Sequence, residues 1–509
     1  MRRTLTATVA LTASALLSVA VAVPAQAHDG QAFTTPAGAT TKAPYRPLQS
    51  VRSLQQAPAG YTAVFTQTVS RHGARALSDS EDGDLLLKLW QQAADEGELT
   101  RLGRRFGPDV RELLDANAKV GYGALTGQGR RALQDTAERM EQRLPGLFHR
   151  IAAGADDPAG PDRIDVVSSG QPRAVDSGTE FTKGLLDGDP SLAKAVDPAR
   201  TDTDLLYFHK SAVNKDYTDY VKKDPRLAAT LAAVRDQPRS HEAARHVLER
   251  IFTKQFVARL AAGGYPFAGN EVDAAQAVFN LYSVTADLTD EGDWHLGRYI
   301  GPDEAAWFGY LDNAEEFYSK GPGFAGRDIT YKMAGVLLDD LFRKVEDRRA
   351  GTGRLGAELR FTHAEEIIPL AALMQLPGST AQATEASPYT YASNAWRGAT
   401  VAPMGANIQW DLYRKGDKYL VRMLYNEKQT AFRPGCVPVS KGSYFSPLPE
   451  GARCCARPPS GAAGRGGLGR PHHPGAPRSR PGWRADRGPE GGQGGAPGQG
   501  AALGRPVPV

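Results

Sequence analysis

The chain has 509 residues, 41% of them hydrophobic and 23% charged, which excludes a wholly disordered protein and is enough to bury a large core. Its formal charge of +4 is unevenly spread: +7 lies after Gly451, +2 comes from Arg2 and Arg3, and the body between them stands at −5. A mildly acidic body argues against nucleic-acid binding, and with only Cys436, Cys454 and Cys455 present, neither a disulfide framework nor a zinc cluster organises the fold.

Residues 1–27 open with Arg2 and Arg3, continue with an apolar run rich in Ala, Thr and Ser, and end in Ala25-Gln26-Ala27. That order is the pattern of a secretory signal peptide and predicts an exported, extracellular protein. No later stretch reaches the roughly 20 apolar residues that span a bilayer, so no stable membrane association is expected after cleavage. Residues 28–59, rich in Thr, Pro and Gln, read as a flexible arm.

Residues 60–189 read as the first segment of an α/β core. Val64, Phe65, Thr66, Thr68 and Val69 favour a strand over 61–69, which runs directly into Ser70-Arg71-His72-Gly73-Ala74-Arg75. A helix follows over 79–96, with Leu85, Leu86, Leu89 and Trp90 on its buried face, and Thr126 is suited to cap the next one. A second strand over 163–169 leads into Gly170-Gln171-Pro172-Arg173, with Pro172 suited to a first helical position. Over 190–351 strand signals nearly vanish and helices are predicted at 240–262, 271–287, 303–319 and 328–348. In the last, Ile329, Met333, Val336, Leu337 and Leu341 make one apolar face. Residues 352–450 resume the core with strands at 358–362, 407–413 and 419–425. This order predicts an α/β protein with an inserted α-helical domain. From 451 to 509 the chain turns to Gly, Pro, Arg and Ala, a composition too poor in apolar residues to offset its ordering entropy. It reads either as a natural biased tail or as out-of-frame translation of a GC-rich gene. A bridge from Cys436 to Cys454 or Cys455 would fit an exported chain.

Arg71-His72-Gly73-x-Arg75, Arg173 and His363-Ala364-Glu365 share one context, each following a predicted strand and preceding a predicted helix. Open α/β sheets bind ligands beyond the carboxyl ends of their strands, where helix amino termini favour anions. Singly, Arg173 suits a surface ion pair, His363 a satisfied core histidine and Glu365 a helix-start carboxylate. Together, three arginines and two histidines at strand ends describe a phosphate site, because guanidinium forks match phosphate oxygens and keep their charge. No cluster has metal-ligand spacing, and His472-His473 lies in the tail.

These motifs resemble the histidine acid phosphatase family, clade two of the histidine phosphatases, whose first motif is Arg-His-Gly-x-Arg-x-Pro. Its second acidic motif is His-Ala-Glu in the multiple inositol polyphosphate phosphatase branch, and Phe361-Thr362-His363-Ala364-Glu365 is similar to that form. Ser168-Ser169 ahead of Arg173, Phe317-Tyr318-Ser319-Lys320-Gly321 and Asn426-Glu427-Lys428 extend the likeness over residues 61–438, and Leu77 departs from it where proline is usual. The resemblance implies a phosphoglycerate mutase-like core with a central mixed sheet flanked by helices. It also implies a phosphohistidine on His72, phosphate binding by Arg71, Arg75, Arg173 and His363, acid–base work by Glu365, and no cofactor. The substrates implied are small phosphate esters, inositol polyphosphates such as phytate first. A broad acid phosphatase for sugar phosphates or bisphosphoglycerate and a non-catalytic phospho-ligand binder stand as alternatives. Lys183, Lys210, Lys215, Lys222 and Lys223 are candidates for further phosphate contacts.

Overall fold

A ten-residue segment carrying Thr62, Val64, Phe65, Thr66, Thr68 and Val69 forms the longest strand, and it lies at the centre of the sheet. The computed structural model describes residues 38–157, 160, 162–432 and 436–448. The strands are β1 (Thr62–Arg71), β2 (Arg163–Ser168), β3 (Arg200–Thr201), β4 (Leu355–Thr362), β5 (Asn407–Lys415), β6 (Lys418–Tyr425), β7 (Lys428–Thr430) and β8 (Phe445–Pro447). They form one sheet in the order β3-β2-β4-β1-β5-β6-β7, with β8 on β6. β3, β2, β4 and β1 run parallel, and β5, β6, β7 and β8 pair antiparallel. This is the mixed sheet flanked by helices that the sequence predicts. β2 and β4 are buried almost throughout, as expected of strands covered on both faces.

Buried charges in the sheet are paired. Asp411 on β5 takes Arg143 at 3.0 Å and Arg422 at 2.8 Å. Arg360 on β4 takes Asp340 at 2.6 Å and the Gln67 side chain at 3.1 Å. Such groups are costly to bury unless every partner is present.

Several predicted boundaries are corrected. The helix expected over 240–262 is two helices, Pro238–Leu248 and Lys254–Ala261. Between them Thr253 takes extended backbone and its hydroxyl accepts from the Phe256 amide at 3.3 Å. Helices Gly103–Val120, which holds Pro108 inside it, Pro145–Ala153, Lys215–Lys223 and Pro225–Arg235 escaped the sequence reading. Val336, assigned to an apolar face, is 47% exposed, and Met333 sits in a short 3-10 turn before the Gly335–Ala350 helix. β3 lies inside the span read as purely helical. The helices of that span share one continuous apolar core with the sheet, and Phe342 meets Trp410 of β5 with ring centroids 5.0 Å apart.

The described part of the predicted flexible arm is tied to the core. The Tyr45 hydroxyl donates to Glu427 at 2.7 Å, the Gln55 amide donates to the Gln429 side chain at 2.8 Å, and Thr40 and Thr41 are buried. The predicted signal peptide, the tail from 451, and Cys454 and Cys455 lie outside the described residues. No helix among the described residues is long and apolar enough to cross a membrane.

Candidate active site

Register brings the motifs together. In the parallel pairs Arg71 of β1 lies opposite Thr362 of β4, and Phe361 of β4 lies opposite Ser168 of β2. The residues that follow, His72, His363 and Ser169, therefore leave three adjacent strands at the same edge. Backbone hydrogen bonds fix them: His72 N to Thr362 O at 2.8 Å, Ser169 N to Phe361 O at 3.0 Å, and Gly405 N to His72 O at 2.8 Å. Helix Pro172–Gly188 begins one residue before Arg173, and helix Ala364–Leu373 begins immediately after His363. Neither N-terminus is capped by a side chain, so both offer partial positive charge to this crevice.

His72 is buried, and its Nδ1 lies 3.0 Å from the Gly73 carbonyl oxygen. A proton on Nδ1 donates there and leaves the Nε2 lone pair free. Burial, then Arg71, His363, Arg75 and Arg173, holds this imidazole well below its ordinary range, so the ring is neutral. The His363 ring meets it edge to face at 5.4 Å and also meets Tyr207 at 5.1 Å. His363 Nε2 lies 2.8 Å from the Ser169 hydroxyl, and burial followed by Arg173 lowers its pKa to about 3.

The arginines arrive differently. Arg71 is buried and its Nη1 donates to the carbonyls of Thr41 and Ala402, the second at 2.7 Å. Arg75 donates to the Ala76 carbonyl at 2.8 Å, and burial together with Arg173 and Arg71 lowers its pKa to about 10. The Nε atoms of Arg71, Arg75 and Arg173 are buried and have no partner among the described residues. Donors so placed are suited to an anion's oxygens.

Glu365 is buried and accepts from Lys320 Nζ at 2.8 Å. Burial alone would push this carboxyl up, but Lys320 first, with His209 and His363 beside it, together outweigh burial and hold Glu365 well below the usual carboxylate range. Its neighbour Glu366 is turned away, 2.6 Å from His209 Nδ1 and accepting from the Thr362 hydroxyl at 2.9 Å.

His72, Arg71, Arg75, Arg173, His363 and Glu365 thus share one crevice, as their sequence contexts predict. The five candidate lysines lie on the surface, where Lys215 and Lys223 pair with Asp219. Lys320 instead reaches Glu365, and its only sequence signal was its place in the Phe317–Gly321 segment. Asp287 was also missed. It is fully buried, both carboxylate oxygens lack a partner among the described residues, and burial raises its pKa well above the usual range despite Arg71 and Arg75.

A neutral imidazole with a free lone pair, arginines with unpartnered donors and a carboxyl group side by side suit phosphoryl transfer. The chain belongs to the histidine phosphatase superfamily (branch 2), whose family model matches residues 64–426, and it is a phosphatase. Among solved structures it is similar to the multiple inositol polyphosphate phosphatase of Bifidobacterium longum in complex with inositol hexasulfate. Identity is 32%, coverage is 80% of this chain and 95% of that one, and the TM-score is 0.75. The same enzyme in complex with phosphate matches equally, at 32% identity, the same coverage and TM-score 0.75. A phytase from D. castellii shares the fold at 16% identity, TM-score 0.55, over 80% of this chain and 82% of that one. Comparison with curated protein sequences finds no match.

Proposed function

We propose that the chain is an exported phosphomonoesterase that hydrolyses inositol polyphosphates such as phytate through a phosphohistidine. The observation that carries this reading is the His72 imidazole, held neutral with Nδ1 on the Gly73 carbonyl amid three arginines whose buried Nε donors have no partner among the described residues. His72 Nε2 attacks phosphorus, forming an N–P bond as the ester P–O bond breaks. Arg71, Arg75, Arg173 and His363 hold the phosphoryl oxygens and the charge spread over them. An alkoxide leaves poorly, so Glu365 gives it a proton. The resulting carboxylate then takes a proton from the water that breaks the N–P bond, and inorganic phosphate departs. The Bifidobacterium enzyme, 32% identical, supports inositol polyphosphates as the substrate class, since its ligands are an inositol hexasulfate and phosphate.

The test is phosphate release from a panel of phytate, glycerol phosphate, a sugar phosphate and bisphosphoglycerate, run from acid to mildly alkaline pH. A kcat/KM highest for phytate supports the reading. A flat panel would favour the broad acid phosphatase. His72→Ala should abolish release while leaving the circular dichroism native, and normal activity in that variant would sink the mechanism.

A further inference from the structure

The crevice holds a tension that the mechanism must resolve. Glu365 has to carry a proton in the first step, yet it sits against an ammonium group that favours its ionised form. Lys320 follows directly on helix Pro302–Ser319, and its Nζ lies 2.8 Å from Glu365 Oε1 and 3.1 Å from Glu316 Oε1. The lysine therefore spans two carboxylates. Its side chain is 21% exposed, so it is not locked into the core.

The other charged groups facing Glu365 do not remove the tension. Arg71 and Arg75 from the end of β1 also favour the carboxylate. Glu366 on its own helix and Glu316 oppose it, but Glu366 is engaged by His209 and Glu316 by Lys320. His363 is neutral above very acid pH. Tyr207 and Tyr217, from the segment before helix Lys215–Lys223 and from that helix, remain uncharged, since burial raises both phenols. His209 also faces Glu365, but among the described residues Lys320 is the cation in direct contact with it, and a lysine stem can swing where the buried Arg71 cannot.

We propose that Lys320 is a positioning residue that clamps Glu365 as a carboxylate in the empty site and is drawn off by a second phosphate of the substrate. This deepens the reading of Glu365 as the acid and rests on it. When the ammonium moves onto a phosphate dianion, Glu365 loses its counter-ion inside a buried pocket and takes a proton from water, which it then passes to the leaving oxygen. A substrate with one phosphate has nothing to draw the lysine away. The clamp therefore favours polyphosphorylated substrates at the chemical step as well as in binding.

The test compares kcat/KM across pH for glycerol phosphate and for phytate in the wild type, Lys320→Met, Lys320→Arg and Glu365→Gln. In Lys320→Met the neutral-to-acid ratio of kcat/KM for glycerol phosphate should rise several-fold, approaching the ratio for phytate, while KM for phytate rises. Lys320→Arg should restore the wild-type ratio. Glu316→Gln, which frees Lys320 to bind Glu365 alone, should lower the ratio and provides an independent arm should Lys320→Met fold poorly. A uniform loss in Lys320→Met at every pH and for both substrates, or an unchanged ratio in Glu316→Gln, would overturn the proposal. If Glu365→Gln hydrolyses glycerol phosphate normally, the acid assignment itself falls. If Glu365→Gln is crippled but Lys320→Met keeps the wild-type profile, only the clamp falls.

Discussion

The imidazole rings of His72 and His363 meet at 63° with centroids 5.4 Å apart, and both are buried among arginines. Each resists protonation in the folded state, His363 until about pH 3. The unfolded chain protonates both near an ordinary imidazole pKa of about 6.5. Below that pH the unfolded state binds more protons, so the stability these groups contribute is present above about 6.5 and is lost as pH falls toward the folded values. The melting temperature should therefore fall on acidification, and His363→Gln should flatten part of that fall. Thermal melts of both proteins across pH check it, and an identical slope would contradict the neutral assignment.

Glu365 and Glu366 are adjacent, and the structure gives them different partners. Glu365 faces the crevice with Lys320, whereas Glu366 is tied to His209 and Thr362. Glu365→Gln should lower phytate hydrolysis by roughly 10² to 10⁴. It should impair phosphoenzyme formation from p-nitrophenyl phosphate far less, because p-nitrophenolate leaves without a proton. Rapid quench should then show a burst as phosphate accumulates on His72. Glu366→Gln should chiefly lower stability through its buried partners, and a leaving-group-dependent loss there instead would reverse the assignment.

In the proposed mechanism the arginines supply the positive charge that a metal supplies to phosphoryl transfer elsewhere. Activity should survive exhaustive dialysis against EDTA. Loss of activity restored by Mg²⁺ or Zn²⁺ would point to different chemistry.

The parts of this site legible in the sequence were those set by local pattern. A β-branched run ending in Arg71-His72-Gly73 had to be a strand entering a turn, and Pro172 had to open a helix. That the strand ends were neighbours followed only from the α/β alternation, and register made it concrete by setting Arg71 against Thr362. Contacts between distant segments left no such mark. Lys320 and Glu365 meet across 45 residues, and nothing in either helix's periodicity ties one to the other. Arm residues 38–59 looked loose because Thr, Pro and Gln have no period. They are held by single long-range bonds such as Tyr45 to Glu427, where Asn426 and Glu427 both take left-handed backbone in the β6–β7 turn.

The floor beneath His72 is built from two glycines. Helix Gly127–Arg143 begins under the His72–Arg75 turn, and its cap Thr126 accepts from the Gly129 amide at 3.1 Å. A Cβ on Gly129 would lie 2.1 Å from the Ala74 carbonyl oxygen and 2.8 Å from its amide nitrogen, and a Cβ on Gly73 would lie 2.8 Å from the Gly129 carbonyl oxygen. The obstacles are backbone atoms on both sides, so no rotamer relieves them. Gly129→Ala must push the turn carrying His72 and Arg75 away from the helix, and overpacking of this kind typically costs about 1–3 kcal/mol. Because the turn also aims His72, the proposed nucleophile, kcat should fall more than the stability loss explains, even below the melting transition. Gly146→Ala is the matched control. That glycine lies in helix Pro145–Ala153 with nothing within 4 Å of its added Cβ, and a helical Gly→Ala exchange is neutral or stabilising by up to about 1 kcal/mol. Melting curves and steady-state kinetics on both variants decide it: wild-type kcat in Gly129→Ala would show that the turn tolerates displacement.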